Sequence, residues 1–89
     1  MEKQLEAVIA NAMNQNGTKG VVCADEQGLA LIHKGTLEAK SAAALKQLTT
    51  IAAEMDPHNK LEAVSLHFNK STLTVHQKGP LTVGVHKST

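Results

Sequence analysis

The chain has 89 residues, enough for one domain whose folding buries about two-thirds of the unfolded surface. Nine Lys and Arg against eight Asp and Glu leave a formal charge of +1, and Phe68 is the sole aromatic residue. With neither a basic stripe nor a stacking platform, the composition argues against nucleic-acid binding, and aliphatic side chains must fill the core.

Residues 2–14 read as an amphipathic helix, with Leu5, Val8, Ile9, Ala12 and Met13 at helical spacing. Glu2 and Glu6 sit toward its N-terminal end, where the helix dipole favours negative charge. Gly17 is its candidate left-handed cap. A hairpin over 20–34 follows. Val21-Val22-Cys23-Ala24 is apolar on both faces, Asp25-Glu26-Gln27-Gly28 is a turn, and Leu29–His33 runs back. Residues 37–55 form a second helix, whose apolar arc (Ala44, Leu45, Leu48, Ile51, Ala52 and Met55) is expected to face a sheet. Asp56-Pro57 ends it. Residues 62–86 alternate as a three-stranded meander with one apolar face: Val64, Leu66 and Phe68, then Leu73 and Val75, then Leu81, Val83 and Val85.

The order helix, strand, strand, helix, three strands gives an α+β fold. A second helix of 19 residues spans roughly 28 Å at about 1.5 Å per residue, enough to cross a five-stranded sheet. The meander then starts at the far edge and returns inward, giving an antiparallel sheet of order 2-1-5-4-3 with helices on both faces. Thr82 and Gly84, on the second face of the fifth strand, are expected to let the N-terminal helix lie close.

Candidate chemistry is sparse. Cys23 has no second cysteine to pair with, which fits a cytosolic or nuclear compartment, and its place among valines marks a buried structural thiol rather than a nucleophile. His67, His76 and His86 share the polar face of the meander. Pairing Leu66 with Val75 and Val75 with Val83 leaves them too far apart to converge on one zinc. Gly28 and Gly35 match no phosphate-loop pattern and serve turns. No catalytic residue, metal site or cofactor is expected. No apolar run approaches the roughly 18 residues of a membrane span, and no lipidation motif stands at either end, so no direct membrane insertion is expected.

Two segments carry a resemblance. Gly20-Val21-Val22-Cys23, Asp25, Gln27-Gly28-Leu29 and Gly35-Thr36-Leu37 form one, and Leu81-Thr82-Val83-Gly84-Val85-His86-Lys87 the other. Together they are similar to the roadblock family, a small fold related to longin domains. Within it they resemble most the branch of the hepatitis B X-interacting protein, a lysosomal Ragulator subunit, in which the usual third helix is absent. The resemblance covers nearly the whole chain as one roadblock-type domain, 1–89. Residues 58–71 depart from the branch, which is more acidic there. The resemblance implies a non-enzymatic, cytoplasmic scaffold that pairs with another roadblock-fold subunit. With other Ragulator subunits it would be recruited by a partner to the late endosome or lysosome surface. There the complex would anchor Rag GTPases for amino-acid signalling to the TOR kinase complex. The alternative within the family is a self-pairing regulator of the dynein light chain or small-GTPase type.

The partner surface is expected on a second face of the 37–55 helix, formed by Ala42, Ala43, Lys46, Thr49 and Ala53, whose small residues allow close approach. Beside it, the edge strand carrying Val64, Leu66 and Phe68 is expected to pair with a partner strand.

Overall fold

A computed structural model describes residues 2–88, apart from the side chains of residues 2–5 and 8. Helix α1 spans Glu2–Met13. Of its expected apolar stripe, Ile9 is buried and Ala12 and Met13 are half-buried, while Leu5 and Val8 lie outside the described side chains. Gly17 follows with a positive φ of 85°, as a left-handed turn residue.

Strands β1 (Thr18–Ala24) and β2 (Ala30–Gly35) form the hairpin. Its turn is built by Asp25, whose Oδ1 accepts the N–H groups of Gln27 and Leu29, both at 2.9 Å. Helix α2 spans Ser41–Met55, four residues shorter at its start than the alanine-rich sequence suggests. Ser41 and Ala42 donate their N–H groups to the carbonyls of Glu38 and Ala39, three residues back, so a tight turn precedes the helix. Leu37 is drawn instead onto the core.

Strands β3 (Ala63–His67), β4 (Ser71–Lys78) and β5 (Leu81–Ser88) complete a five-stranded sheet of order β2-β1-β5-β4-β3, with every neighbouring pair antiparallel. The expected topology is the observed one. The helices lie on opposite sides. On the α1 side, Ile9 packs with Val21, Cys23 and Val83. On the α2 side, Ala42 and Leu45 pack with Val22, Ala24 and Val75.

The registers differ from expectation in two places. Leu66 pairs with Leu73 and Val64 with Val75, a shift of two residues that keeps the faces. Val75 pairs with Gly84 rather than Val83, a shift of one that turns β5 over. The meander therefore has no single apolar face. Val64, Leu66, Leu73 and Val75 look toward α2, whereas Val83 and Val85 look toward α1. Thr82 and Gly84 admit α2, not the N-terminal helix: a Cβ on Gly84 would stand 2.5 Å from Leu45 Cδ1. Leu45 fills the notch that this glycine leaves, and its burial stabilises the helix on the sheet by roughly 2 kcal/mol.

That close approach also rotates α2 from its expected setting. Ala42, Leu45 and Thr49 are buried against the sheet, while Ala44, Ile51 and Met55 point to solvent. Thr49 is tolerated inside because its Oγ1 donates to the Lys46 carbonyl at 2.9 Å and accepts from Gln77 Nε2 at 3.3 Å. Ala42 and Thr49 are thus core residues, not part of an outward face.

Candidate partner interface

The chemistry-bearing side chains do not assemble. His67 and His76 lie on the α1 side of the sheet, four residues apart along paired strands, roughly 13 Å at about 3.3 Å per residue. His86 lies on the other side, with Nδ1 2.7 Å from Thr36 Oγ1. All three had been expected on one face, and the turned β5 separates them. No group of three or more His, Cys, Asp or Glu side chains among the described residues could hold a metal. No described helix is long and apolar enough to cross a membrane.

Cys23 has no exposed surface, and desolvation pushes its thiol pKa up from the ordinary value. The sign of the linkage follows. The unfolded thiol loses its proton first, so stability is full below the unfolded pKa and falls as pH rises from there toward the folded one. We expect the urea midpoint of the native chain to drop above about pH 9 more steeply than that of Cys23→Ala. We expect a thiol reagent to label Cys23 in the folded chain only as fast as the chain opens. Equal alkaline slopes for the two proteins, or rapid labelling in native buffer, would contradict the burial.

What the surface does offer is an exposed apolar flank. Strand β3 is an edge of the sheet. Val64 and Leu66 on it are half-buried, and Phe68, just beyond it, is 55% exposed. The Phe68 N–H is tied back to the Ser71 carbonyl at 2.8 Å, closing the turn into β4. On α2, Ala44, Leu48, Ile51 and Met55 fall within about 60° of one another at roughly 100° per residue. Leu48 packs toward the same core as Val64 and Leu73, and α2 is in contact with β3. Ile51 is 59% and Met55 82% exposed. An open cleft of about 390 Å³ lies between the end of α2 and the start of β3, lined by Ala52, Ala53, Leu61 and Ala63 among others.

The expected helix residues divide accordingly. Ala43 and Lys46 sit on the opposite flank, against the β1–β2 turn, where a Cβ on Gly28 would lie 3.4 Å from Ala43 Cα and 3.6 Å from Lys46 Cβ. Ala53 is exposed and lines the cleft. The stripe of Ala44, Leu48, Ile51 and Met55 was missed as a surface because its hydrophobicity marked it as core. The available signal was size. Small Ala42 and Thr49 permit the close contact that Gly84 offers, and bulky Ile51 and Met55 do not.

Comparison with known proteins agrees with this architecture. Residues 1–87 match the family described as "Ragulator complex protein LAMTOR5". The chain is 34% identical over 88 residues to a Ragulator complex protein LAMTOR5 homolog of Nematostella vectensis, covering 98% of this chain and 97% of that one. It is 35% identical over 91 residues to Ragulator complex protein LAMTOR5 of Xenopus laevis, covering 100% and 99%. Among solved structures, Myxococcus xanthus MglB matches with a TM-score of 0.82 at 15% identity, over 96% of this chain and 76% of that one. A Roadblock/LC7 domain from Streptomyces avermitilis matches with a TM-score of 0.77 at 16% identity, over 92% and 76%. The fold is the roadblock fold, and the chain belongs to the Ragulator LAMTOR5 family.

Proposed function

We propose that this protein is a non-enzymatic scaffold subunit of a Ragulator-type complex, pairing with another roadblock-fold subunit through β3 and the adjoining flank of α2. The observation that carries this reading is continuity. An edge strand with open backbone groups stands beside α2, and α2 carries an exposed apolar stripe. Antiparallel pairing at β3 satisfies the edge and joins two sheets, and the same approach brings Ile51 and Met55 against the partner. In this reading Val64, Leu66 and Phe68 belong to the interface, and Ala53 lines the cleft at the end of α2.

Family membership supports the wider setting. In this reading the assembled complex is recruited from the cytoplasm to the late endosome or lysosome surface by a partner, as the resemblance to the hepatitis B X-interacting protein implies. There it anchors Rag GTPases for amino-acid signalling to the TOR kinase complex. This chain contributes shape rather than chemistry.

The test is co-expression with other Ragulator subunits, followed by mass measurement of the purified complex. The native chain is expected to leave the column as a one-to-one pair with another roadblock subunit. Ile51→Glu combined with Met55→Glu is expected to keep the native circular dichroism spectrum, since both side chains are exposed, and to weaken pairing by at least about a hundredfold. A double variant that pairs with unchanged affinity would place the interface elsewhere. A stable homodimer that ignores the other subunits would favour the self-pairing alternative.

A further inference from the structure

The turn that joins α1 to β1 carries a reactive pair. Asn16 precedes Gly17, and no other asparagine of the chain has glycine after it. The peptide nitrogen that follows an asparagine can attack the asparagine's own side-chain Cγ, because the two sit at the ends of an incipient five-membered ring. A side chain on the following residue crowds that attack, and glycine has none. The fold leaves this pair open. Both residues are exposed, and they lie beyond the last turn of α1, where Gly17 holds φ at 85°. Among the described residues, neither the Gly17 N–H nor the Asn16 carboxamide has a hydrogen-bond partner. The other asparagines are held or hindered. Asn11 lies inside α1. The N–H after Asn14 donates to the Ala12 carbonyl at 3.2 Å, and the Asn59 amide donates to Asp56 Oδ2 at 2.9 Å. Asn69 is followed by the long side chain of Lys70.

We propose that Asn16 is a site of spontaneous deamidation, and that its isoaspartyl product loosens α1 from the sheet. The Gly17 nitrogen gives its proton to solvent and bonds to Asn16 Cγ. The Cγ–Nδ2 bond breaks, and ammonia leaves with a proton from water. Water then opens the succinimide at one of its two carbonyl carbons, returning a proton to the Gly17 nitrogen. Opening at Cγ leaves an ordinary aspartate. Opening at the main-chain carbonyl leaves an isoaspartate, whose backbone runs through Cβ and Cγ. Either product replaces a neutral amide by a carboxylate and takes the formal charge of the chain from +1 to zero. Only the isoaspartate lengthens the main chain, by one carbon–carbon bond of about 1.5 Å. That insertion falls directly before a fastening. The Gly17 carbonyl accepts the Ser88 N–H at 2.9 Å and its hydroxyl at 3.3 Å, and the Lys87 ammonium donates to Gln15 Oε1 at 3.0 Å. These bonds tie the end of α1 to the end of β5. Once they are displaced, Ile9 no longer stays seated over Cys23, and α1 opens more often. The chain thus carries a clock that marks old copies by a looser helix. The inference does not rest on pairing through β3.

The experiment ages the full-length chain for several weeks in warm neutral buffer, folded and in urea, and maps its peptides by mass spectrometry with electron-based fragmentation. In the folded chain, conversion at Asn16 is expected to run at least about tenfold faster than at Asn11, Asn14, Asn59 or Asn69, with isoaspartate the major product. Folding is expected to slow it by less than about tenfold relative to urea. A thiol reagent is expected to label Cys23 several-fold faster in the aged chain than in the fresh one. Fresh Asn16→Asp, which has the charge without the insertion, is expected to label at the fresh native rate, as is Asn16→Gln aged alongside. The inference is overturned if another asparagine converts as fast, or if folding suppresses the conversion by more than that factor. It also fails if the aged chain labels no faster than the fresh one, if aged Asn16→Gln labels as fast as the aged native chain, or if fresh Asn16→Asp does.

Discussion

Ala42→Glu is expected to unfold the isolated chain. Ala42 has no exposed surface and packs with Val22, Ala24, Leu45 and Val75, none of which can pair with a carboxylate. The new side chain must either bury an unpaired acid or lift α2 from the sheet. Lifting α2 empties the Gly84 notch that holds Leu45. Either route costs on the order of 4 kcal/mol or more, much of the roughly 5–10 kcal/mol that holds a domain of this size together. Ala53→Glu, on the same helix but exposed, is expected to stay within about 0.5 kcal/mol of the native chain. Urea titration followed by circular dichroism distinguishes the two. Similar midpoints for the two variants would mean that α2 is not seated as described. The comparison also separates two meanings of an alanine on a helix. At Ala42 the small side chain sets how closely two layers meet, and at Ala53 it is a helix former facing water.

Gly35→Ala is expected to be nearly as damaging, through the backbone rather than the core. Gly35 ends β2 with φ at +66°, and a Cβ there would stand 2.1 Å from the Lys19 carbonyl oxygen on β1. The same carbonyl accepts the Thr36 N–H at 3.0 Å, so it cannot swing away without breaking the link into α2. Left-handed strain of about 1–2 kcal/mol therefore adds to the cost of displacing main chain, for a total of about 3 kcal/mol or more. Gly79 supplies the control. Its φ is +60°, yet nothing lies within 4 Å of its would-be Cβ. Gly79→Ala is expected to cost only the strain, about 1 kcal/mol. Equal losses of thermal midpoint for the two variants would show that the close approach at Lys19 is relieved at no cost.

The topology was legible because it rests on lengths and order. A helix long enough to cross the sheet, followed by three alternating runs, admits few arrangements, and 2-1-5-4-3 is the observed one. Cys23 was legible because strand β1 is apolar on both faces, as a central strand under two helices must be. The orientation of β5 was not legible. Leu81-Thr82-Val83-Gly84-Val85 alternates cleanly, but both sides of a central strand are buried, so alternation of hydrophobicity no longer says which side meets which helix. There the choice falls to volume: Gly84 receives Leu45, and the valines meet Ile9. The rotation of α2 is the same error carried onto the facing layer. Reading hydrophobicity as burial put Ile51 and Met55 inside and Ala42 and Thr49 outside, whereas packing distance sorted them by size. The edge position of β3 survived these errors because it depends on strand order alone.

Strand order also bears on when this molecule can fold during synthesis. Strand β5, the fifth in the chain, is the third in the sheet, and its neighbours are β1 and β4. Until residues 81–88 have left the ribosome, the sheet exists only as two separate hairpins, β1–β2 and β3–β4, each marginal in water. The contacts that join them link Val21 with Val85 and Cys23 with Val83, at opposite ends of the chain. Their closure entropy is met late and all at once. A nascent chain halted near residue 80 would present β1 and β4 as two open inner edges, with the apolar stretch Val21–Ala24 uncovered on one of them. The waiting interval is therefore the moment of greatest exposure to aggregation and to chaperones. A circular permutant that makes β5 before β1 should shorten that interval without altering a single contact of the finished fold.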